Sequence, residues 1–415
     1  MRIGFLFNHD QIHQVAHGLP IALALAKLGT GAEVIICSTN ERISREIEIL
    51  AGTSLDELEF VELRLASKSS LILEAIAGGL IPASKLLIYR DNLDFFRSLD
   101  VLVVPEKTSL LLKDKLGLQD LKIIHVRHGA GDRAIGFNQA SARFDHVLAA
   151  GPKIRDRLIR EAGVAPDRIS VVGYPKFDLV PGLSRDPLEV GRRPLVLYNP
   201  HAAPHLSSWY RKGREILRWF VDHPEYELIF APHIMLFQRK VAVTVQPPRV
   251  GWPGSIPKSA LKAENILIDT GSRKLTTMEY LNRADIYLGD ASSQVYEFLI
   301  EPRPCIFLNA HGLAWEQDEN FAHWHLGPVI DGVDQLGATL SNAFFDHQSH
   351  FRSAQKTMLQ YTFDLDGTPS SVRAARAIME VAGRSERAMR RNNRRARRGP
   401  SVQPPPAFAV TSATS

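Results

Sequence analysis

Short apolar runs alternate with longer segments of helical period along most of this chain. Residues 3–7 form the first run, an Ala/Leu-rich helical pattern follows over 19–28, and residues 33–37 form a second run, which together read as a βαβ opening. Runs at 101–104, 123–126, 147–150 and 169–172 continue the rhythm, separated by helix-length or turn segments, and one parallel sheet accommodates them all. The pattern breaks at 181–194, where Pro, Gly, Arg and Asp cluster without apolar periodicity, as an interdomain linker would. A second rhythm then begins, with strands predicted at 195–198, 228–230, 266–268, 286–288 and 306–308 and helices at 209–222, 277–283 and 294–300. The predicted fold class is α/β with two Rossmann-like doubly wound domains, residues 1–180 and 195–383, the second closed by a helix over 371–382. The Pro- and Gly-rich stretch 244–260 carries no assignable element, and no repeat appears at solenoid periods.

Length and composition agree with this division. A chain of 415 residues exceeds what one hydrophobic core usually supports. Apolar residues at 45% and charged residues at 23% give the balance of an ordinary globular protein, which excludes a disordered or fibrous chain. The net charge of +5 is concentrated: residues 384–398 hold eight arginines and one glutamate, a local +7 that leaves the rest at −2. With the Pro-rich, uncharged stretch that follows, 384–415 reads as a disordered basic tail. Such a tail either attracts anionic lipid headgroups or serves as a solubilising extension, and without aromatics between the arginines a nucleic-acid platform is the weaker reading.

The amino terminus opens directly with a strand-like run, without the basic segment and cleavage site of a signal peptide. The most apolar later region, 71–89, contains Glu74, Gly78-Gly79, Pro82 and Lys85, so a buried or cleft-facing helix pair is expected there rather than a spanning helix, with membrane-surface contact as the alternative. Cys37 and Cys305 lie in strand-like runs, which suits buried thiols in a reducing compartment. A cytoplasmic address is expected, with peripheral contact to the inner face of the membrane as a further option.

Four clusters carry candidate chemistry. His128-Gly129-Ala130-Gly131-Asp132-Arg133 follows a predicted strand, where ligands gather in open α/β sheets, and an imidazole there accepts a proton from an attacking hydroxyl or fills a structural role. Gly173-Tyr174-Pro175-Lys176-Phe177-Asp178 is a turn in which Lys176 and Asp178 contact a polar ligand or form a surface ion pair. Gly289-Asp290-Ala291-Ser292-Ser293 precedes a predicted helix, so its serines either cap that helix or, with the free amides, bind an anion such as a diphosphate. Glu297 lies further along, facing a ribose or solvent. Pro232-His233 follows another strand, with His201 and His205 near a neighbouring one. No compact pattern such as H-E-x-x-H accompanies these imidazoles, so neither a metal nor another cofactor is expected.

In this order the motifs resemble the CDP-glycerol glycerophosphotransferase family, the teichoic-acid polymerases and their relatives. The family's His-Gly-Thr-Pro-x-Lys box aligns with 128–133, Gly-Tyr-Pro-Arg-x-Asp with 173–178, Asp-Tyr-Ser-Ser with 290–293, and a proline-linked histidine with Pro232-His233. The closing Asp-Gly…Ser-x-Arg element resembles Asp366-Gly367 through Ser371 to Arg373, and the resemblance spans roughly 122–378. It implies a GT-B-like fold, a CDP-glycerol donor, and transfer of glycerol phosphate to a hydroxyl of a cell-envelope glycan or lipid-linked polyol-phosphate acceptor. It further implies His128 as the base, His233 as a donor-phosphate contact, and Asp290, Ser292, Ser293 and Arg373 around the donor, to which the reading of the loops adds Glu297 and Lys176. Architecture assigns the acceptor to the amino-terminal half, near Asn8, His13, His17 and Arg133. The chain departs from the family pattern where Pro200-His201-Ala202-Ala203 lacks an arginine and where Lys176, Ala291 and Arg133 replace arginine, tyrosine and lysine. Two alternatives therefore stand beside the first reading: a GT-B glycosyltransferase using an NDP-sugar, and a non-catalytic shell that binds a nucleotide or glycan.

Overall fold

The structure is a computed structural model and describes residues 1–8, 12–67, 81–179, 191–238, 240–245 and 247–397. Its first half is built on β1 (Arg2–Phe7), β2 (Glu33–Ser38), β3 (Glu59–Glu62), β4 (Val101–Val104), β5 (Lys122–Val126), β6 (His146–Ala149) and β7 (Ile169–Val171), in the order β3-β2-β1-β4-β5-β6-β7. All neighbours are parallel. The predicted strands include the central, fully covered β1, β4 and β5 as well as the half-buried edge strand β7. β3 escaped prediction because Glu59-Phe60-Val61-Glu62 is framed by charges, which suits its place at the sheet edge.

The second half supplies β8 (Leu195–Asn199), β9 (Glu227–Phe230), an antiparallel hairpin of β10 (Ala242–Val245) and β11 (Pro248–Gly251), then β12 (Ile266–Ile268), β13 (Ile286–Gly289), β14 (Cys305–Leu308) and β15 (Val329–Ile330). Its parallel sheet runs β12-β9-β8-β13-β14-β15. The hairpin occupies part of the stretch that showed no assignable pattern. In each sheet the strand order reverses once, between β1 and β4 and between β8 and β13, and such a reversal opens a crevice at the carboxyl ends of the strands.

Several helices differ from expectation. The first spans Val15–Lys27, and the helix expected at 209–222 opens with a π-turn, Trp209–Gly213, before the α-helix Arg214–Asp222. Those predicted at 277–283 and 294–300 are shorter, Glu279–Arg283 and Gln294–Phe298. The closing helix runs Ser370–Arg397, well beyond 382, so the backbone of the arginine-rich stretch continues it; residues 398–415 lie outside the described residues. That helix also crosses back to the first half: Ala374, Ala375 and Ile378 share a core with Ile3, Val15 and Leu19. Its small alanines, repeating at helical spacing, permit close approach to the first helix.

Of the apolar region 71–89, the described part lies in the helix Ile81–Asp91, where buried Lys85 pairs with Glu106; 71–80 and linker residues 181–190 lie outside the described residues. Among the described residues no helix is long and apolar enough to cross a membrane. Both cysteines are buried free thiols, and burial pushes each pKa up.

Candidate active site

Loops from the carboxyl ends of both sheets converge on a cavity of about 310 Å³. His13 and His17 enter after β1 and Arg127 to Arg133 after β5, while His201 follows β8, His233 follows β9, and Ala291, Ser292 and Ser293 follow β13. His128 and the serine pair, far apart in sequence, thus line one space. The two loops approach closely at Gly131, where a β-carbon would lie 2.9 Å from the β-carbon of Ser293. Gly129 has φ +78°, a left-handed conformation that favours glycine.

Hydrogen bonding assigns the protons of the two principal imidazoles. His128 Nδ1 lies 3.2 Å from the Pro105 carbonyl, an acceptor, so Nδ1 carries the hydrogen and Nε2 keeps its lone pair. Gln14 Nε2 approaches that lone pair at 3.5 Å. Burial, then the neighbouring Arg127, lowers the His128 pKa, so the imidazole is neutral at pH 7. His233 is arranged oppositely: its Nδ1 accepts from the Met235 amide at 3.3 Å, which leaves Nε2 as the protonated nitrogen. Burial, followed by Arg133, lowers its pKa to about 4.

Positive charge comes from two arginines. Arg127 donates to the Gly136 carbonyl at 2.6 Å and lies over the Phe137 ring, and burial lowers its pKa to about 10. Arg133 Nη1 lies 3.1 Å from His201 Nε2. Among the described residues neither forms an ion pair, whereas the lining carboxylates are already matched: Glu297 by Lys176, and Asp132 by Lys153 and His323. The cavity therefore carries a net positive charge suited to an anionic ligand.

Other expected site residues stand elsewhere or are engaged. Lys176 and Glu297 line the cavity but bind each other at 2.7 Å, both buried, and Tyr174 Oη donates to the same carboxylate at 2.8 Å. Neither solvent nor a free ribose partner describes Glu297. Asp178 accepts from the amides of Ser370 and Ser371, so the 173–178 turn secures the start of the last helix. Asp290 is fully buried behind the serines; its carboxylate accepts from the amides of His201, Ser208 and Ala291 and from the Ser208 hydroxyl, which shapes both adjacent loops. Ser292 Oγ caps weakly, 3.4 Å from the Gln294 amide, whereas Ser293 is exposed into the cavity and makes no capping bond. Arg373 lies outside the cavity, held by Asp364 and Asp366 at the start of the last helix. Asn8 is buried against Tyr89 and does not line the cavity.

Sequence reading passed over Arg127 and the network around Asp132. Arg127 was findable, since it precedes His128 at the end of β5. His323 carries no motif. Its Nδ1 lies 3.0 Å from Asp132 and its Nε2 2.9 Å from the Asp290 carbonyl, so the ring bridges the two loops. Tyr296 Oη adds a bond of 2.6 Å to Asp132, and Lys153 one of 2.8 Å. Burial opposes ionisation of Asp132, but Lys153 and His323 hold its pKa well below the usual carboxylate range.

Among solved structures, the UDP-GlcNAc 2-epimerase from Neisseria meningitidis bound to UDP-GlcNAc matches over 92% of this chain and 99% of its own, with TM-score 0.57 and 13% identity. The wall teichoic acid polymerase TagF matches over 92% of this chain and 89% of its own, with TM-score 0.57 and 13% identity. A TagF variant soaked with CDPG gives TM-score 0.56 at 13% identity, covering 94% of this chain and 89% of its own. The chain has the GT-B fold. No family model matches the sequence, and no curated protein sequence matches it significantly. At these identities the likeness concerns architecture: two Rossmann-like halves facing across a cleft, as the GT-B expectation required.

Proposed function

We propose that this GT-B chain is a transferase that cleaves a nucleotide-diphosphate donor in the cleft, passing glycerol phosphate to a hydroxyl of a cell-envelope glycan or polyol-phosphate acceptor. One observation carries this reading: an imidazole whose Nε2 holds the lone pair, His128, shares a cationic cavity with Ser292, Ser293 and His233 of the opposite half. Its Nε2 removes the acceptor proton as the new O–P bond forms on the phosphorus bearing glycerol; the bond to the CMP oxygen breaks, and CMP departs. Arg127, Arg133 and the Nε2–H of His233 offset the charge that develops on the phosphoryl oxygens. Asp290 acts through the loops it shapes, and His13 and His17 border the acceptor side.

A second reading rests on the departures at Ala203 and Ala291, which remove an arginine and a tyrosine from the family pattern. On that reading the donor is an NDP-sugar, attack falls on its anomeric carbon, and a nucleoside diphosphate leaves. The test is release of CMP or UDP from CDP-glycerol and UDP-sugars by purified protein, beside His128→Ala and His233→Ala. CMP release that both substitutions abolish supports the first reading, and UDP release the second. Nucleotide binding by calorimetry without turnover identifies a non-catalytic binding shell and overturns both.

A further inference from the structure

His201, which neither the sequence motifs nor the transferase chemistry employs, brings a hydrogen-bond donor to the cleft that has no acceptor among the described residues. The Ala203 amide donates to His201 Nδ1 at 2.9 Å, so Nδ1 keeps its lone pair. Burial, then the neighbouring His233 and Arg133, lowers the His201 pKa well below 6.5. A neutral imidazole carries one hydrogen, and with Nδ1 accepting, that hydrogen sits on Nε2. Yet Arg133 Nη1, itself a donor, lies 3.1 Å from the same Nε2. Two N–H groups facing each other repel, and the Arg133 guanidinium makes no other hydrogen bond among the described residues. His233 repeats the pattern: its Nδ1 accepts from the Met235 amide at 3.3 Å, which leaves an Nε2–H without an acceptor among the described residues.

The backbone holds this arrangement in place. Asp290 accepts from the His201 amide at 2.8 Å, and the His233 amide donates to the Pro200 carbonyl at 2.9 Å, which ties the loops after β8 and β9 together. The two rings stand 5.6 Å apart, centroid to centroid, and both line the cavity with Arg133, Ser292 and Ser293. No protein carboxylate quenches the donors: Asp132 is matched by Lys153 and His323, Glu297 by Lys176, and Asp290 by the amides that it accepts from. A cation is the wrong occupant, because protonated Nε2 atoms and a guanidinium offer it no lone pair. A tetrahedral oxyanion is the right one, since its several oxygens can accept from both rings and the guanidinium while Arg133 offsets its charge. We propose that His201 Nε2, His233 Nε2 and the Arg133 guanidinium form a preorganised site for one phosphate group of the ligand in the cleft. His201 is thereby a ligand-binding donor. That this phosphate belongs to a nucleotide donor rests on the transferase reading; the anion site itself rests on the donors alone.

The test uses the full chain, isotope-labelled at the histidine nitrogens, titrated with inorganic pyrophosphate and followed by NMR and calorimetry. In the free protein His201 and His233 are expected to show the Nε2–H tautomer, and pyrophosphate to move both Nε2–H resonances. His201→Ala is expected to weaken pyrophosphate binding about tenfold or more, as removal of one charge-assisted bond does. His201→Gln, whose amide nitrogen can replace the lost donor, is expected to recover part of that loss. A ring that serves only to anchor Arg133 would carry its hydrogen on Nδ1, and that tautomer in the wild-type protein overturns the proposal even if the variants do not fold. So does pyrophosphate binding that is absent, that leaves the His201 resonance unmoved, or that is unchanged in His201→Ala shown by thermal unfolding to be folded. Nucleotide release is assayed separately. Pyrophosphate binding through His201 without release from any donor ends the transferase reading and leaves the anion site standing, whereas release by a protein whose His201 holds the Nδ1–H tautomer does the reverse.

Discussion

At the scale of single residues, the position of one proton defines what the cleft can do. Because the Pro105 carbonyl takes the Nδ1 hydrogen of His128, Nε2 is available as a base. His128→Gln retains a polar side chain without that base, and turnover is expected to fall by about 10²–10⁴-fold while nucleotide affinity, measured calorimetrically, changes little. Burial and Arg127 lower the His128 pKa below its ordinary 6.5, so the base stays neutral as pH falls until that lowered value is crossed. The acid limb of kcat/KM is thus expected below pH 6.5, with activity lost on its acidic side. Arg127→Gln removes one lowering influence and shifts the limb upward; an unmoved limb counts against His128 as the titrating base. On the proposed reading Arg133 meets the ligand's phosphates, since it lines the cavity without a carboxylate partner among the described residues. Arg133→Ala is expected to weaken binding of a nucleotide diphosphate at least tenfold, given the roughly 1.5–3 kcal/mol of a charge-assisted hydrogen bond. A comparable affinity for the nucleoside alone would localise the loss to the phosphates.

At the scale of elements, the short turn Pro175–Leu179 joins three parts of the chain. Lys176 and Tyr174 reach Glu297 on the short helix after β13, while Asp178 holds the start of the last helix. The Lys176–Glu297 pair is buried on both sides, so removing one partner leaves an uncompensated charge. Lys176→Met is expected to cost about 3–5 kcal/mol in chemical denaturation, and Lys176→Met/Glu297→Gln to recover much of that loss. The strand rhythm and the order of the boxes were legible in the sequence, because continuous apolar runs such as 101–104 can only be satisfied within a covered sheet. The sequence did not disclose that Glu297 would be occupied by Lys176, since that pairing spans the two halves. Edge strand β3 and the hairpin were hidden for a different reason, their charged or proline-broken patterns resembling loops. The resemblance implied Arg373 near the donor; in the structure Arg373 pairs with Asp364 and Asp366 outside the cavity, on a helix that returns to the first half.

At the scale of the whole molecule, the buried network around Asp132 ties both walls of the cleft together. Asp132 lies between Gly131 and Arg133 on one wall; Tyr296 and His323 come from the other half, and His323 also holds the Asp290 carbonyl immediately before Ala291. The ionised carboxylate thus bonds residues of both walls, beside the bridges from Ala134 to Asn320 and from Lys176 to Glu297. Its folded pKa lies below its ordinary value of 3.8, so the stability it contributes is fully present above about pH 4. As pH falls further, the unfolded chain takes up the proton first, and the contribution disappears through the lower folded pKa. Asp132→Asn leaves Lys153 buried without its partner, with an expected loss of about 3–5 kcal/mol near pH 7. The stability gap between wild type and this variant is expected to stay constant from pH 7 to about pH 4 and to narrow below it, as read from urea unfolding across that range. Because the same substitution loosens His323, which bonds the Asp290 carbonyl, turnover should fall with stability even in the folded fraction. A variant that unfolds more easily but turns over normally when folded would show that the network holds the halves together without setting the geometry of the cleft.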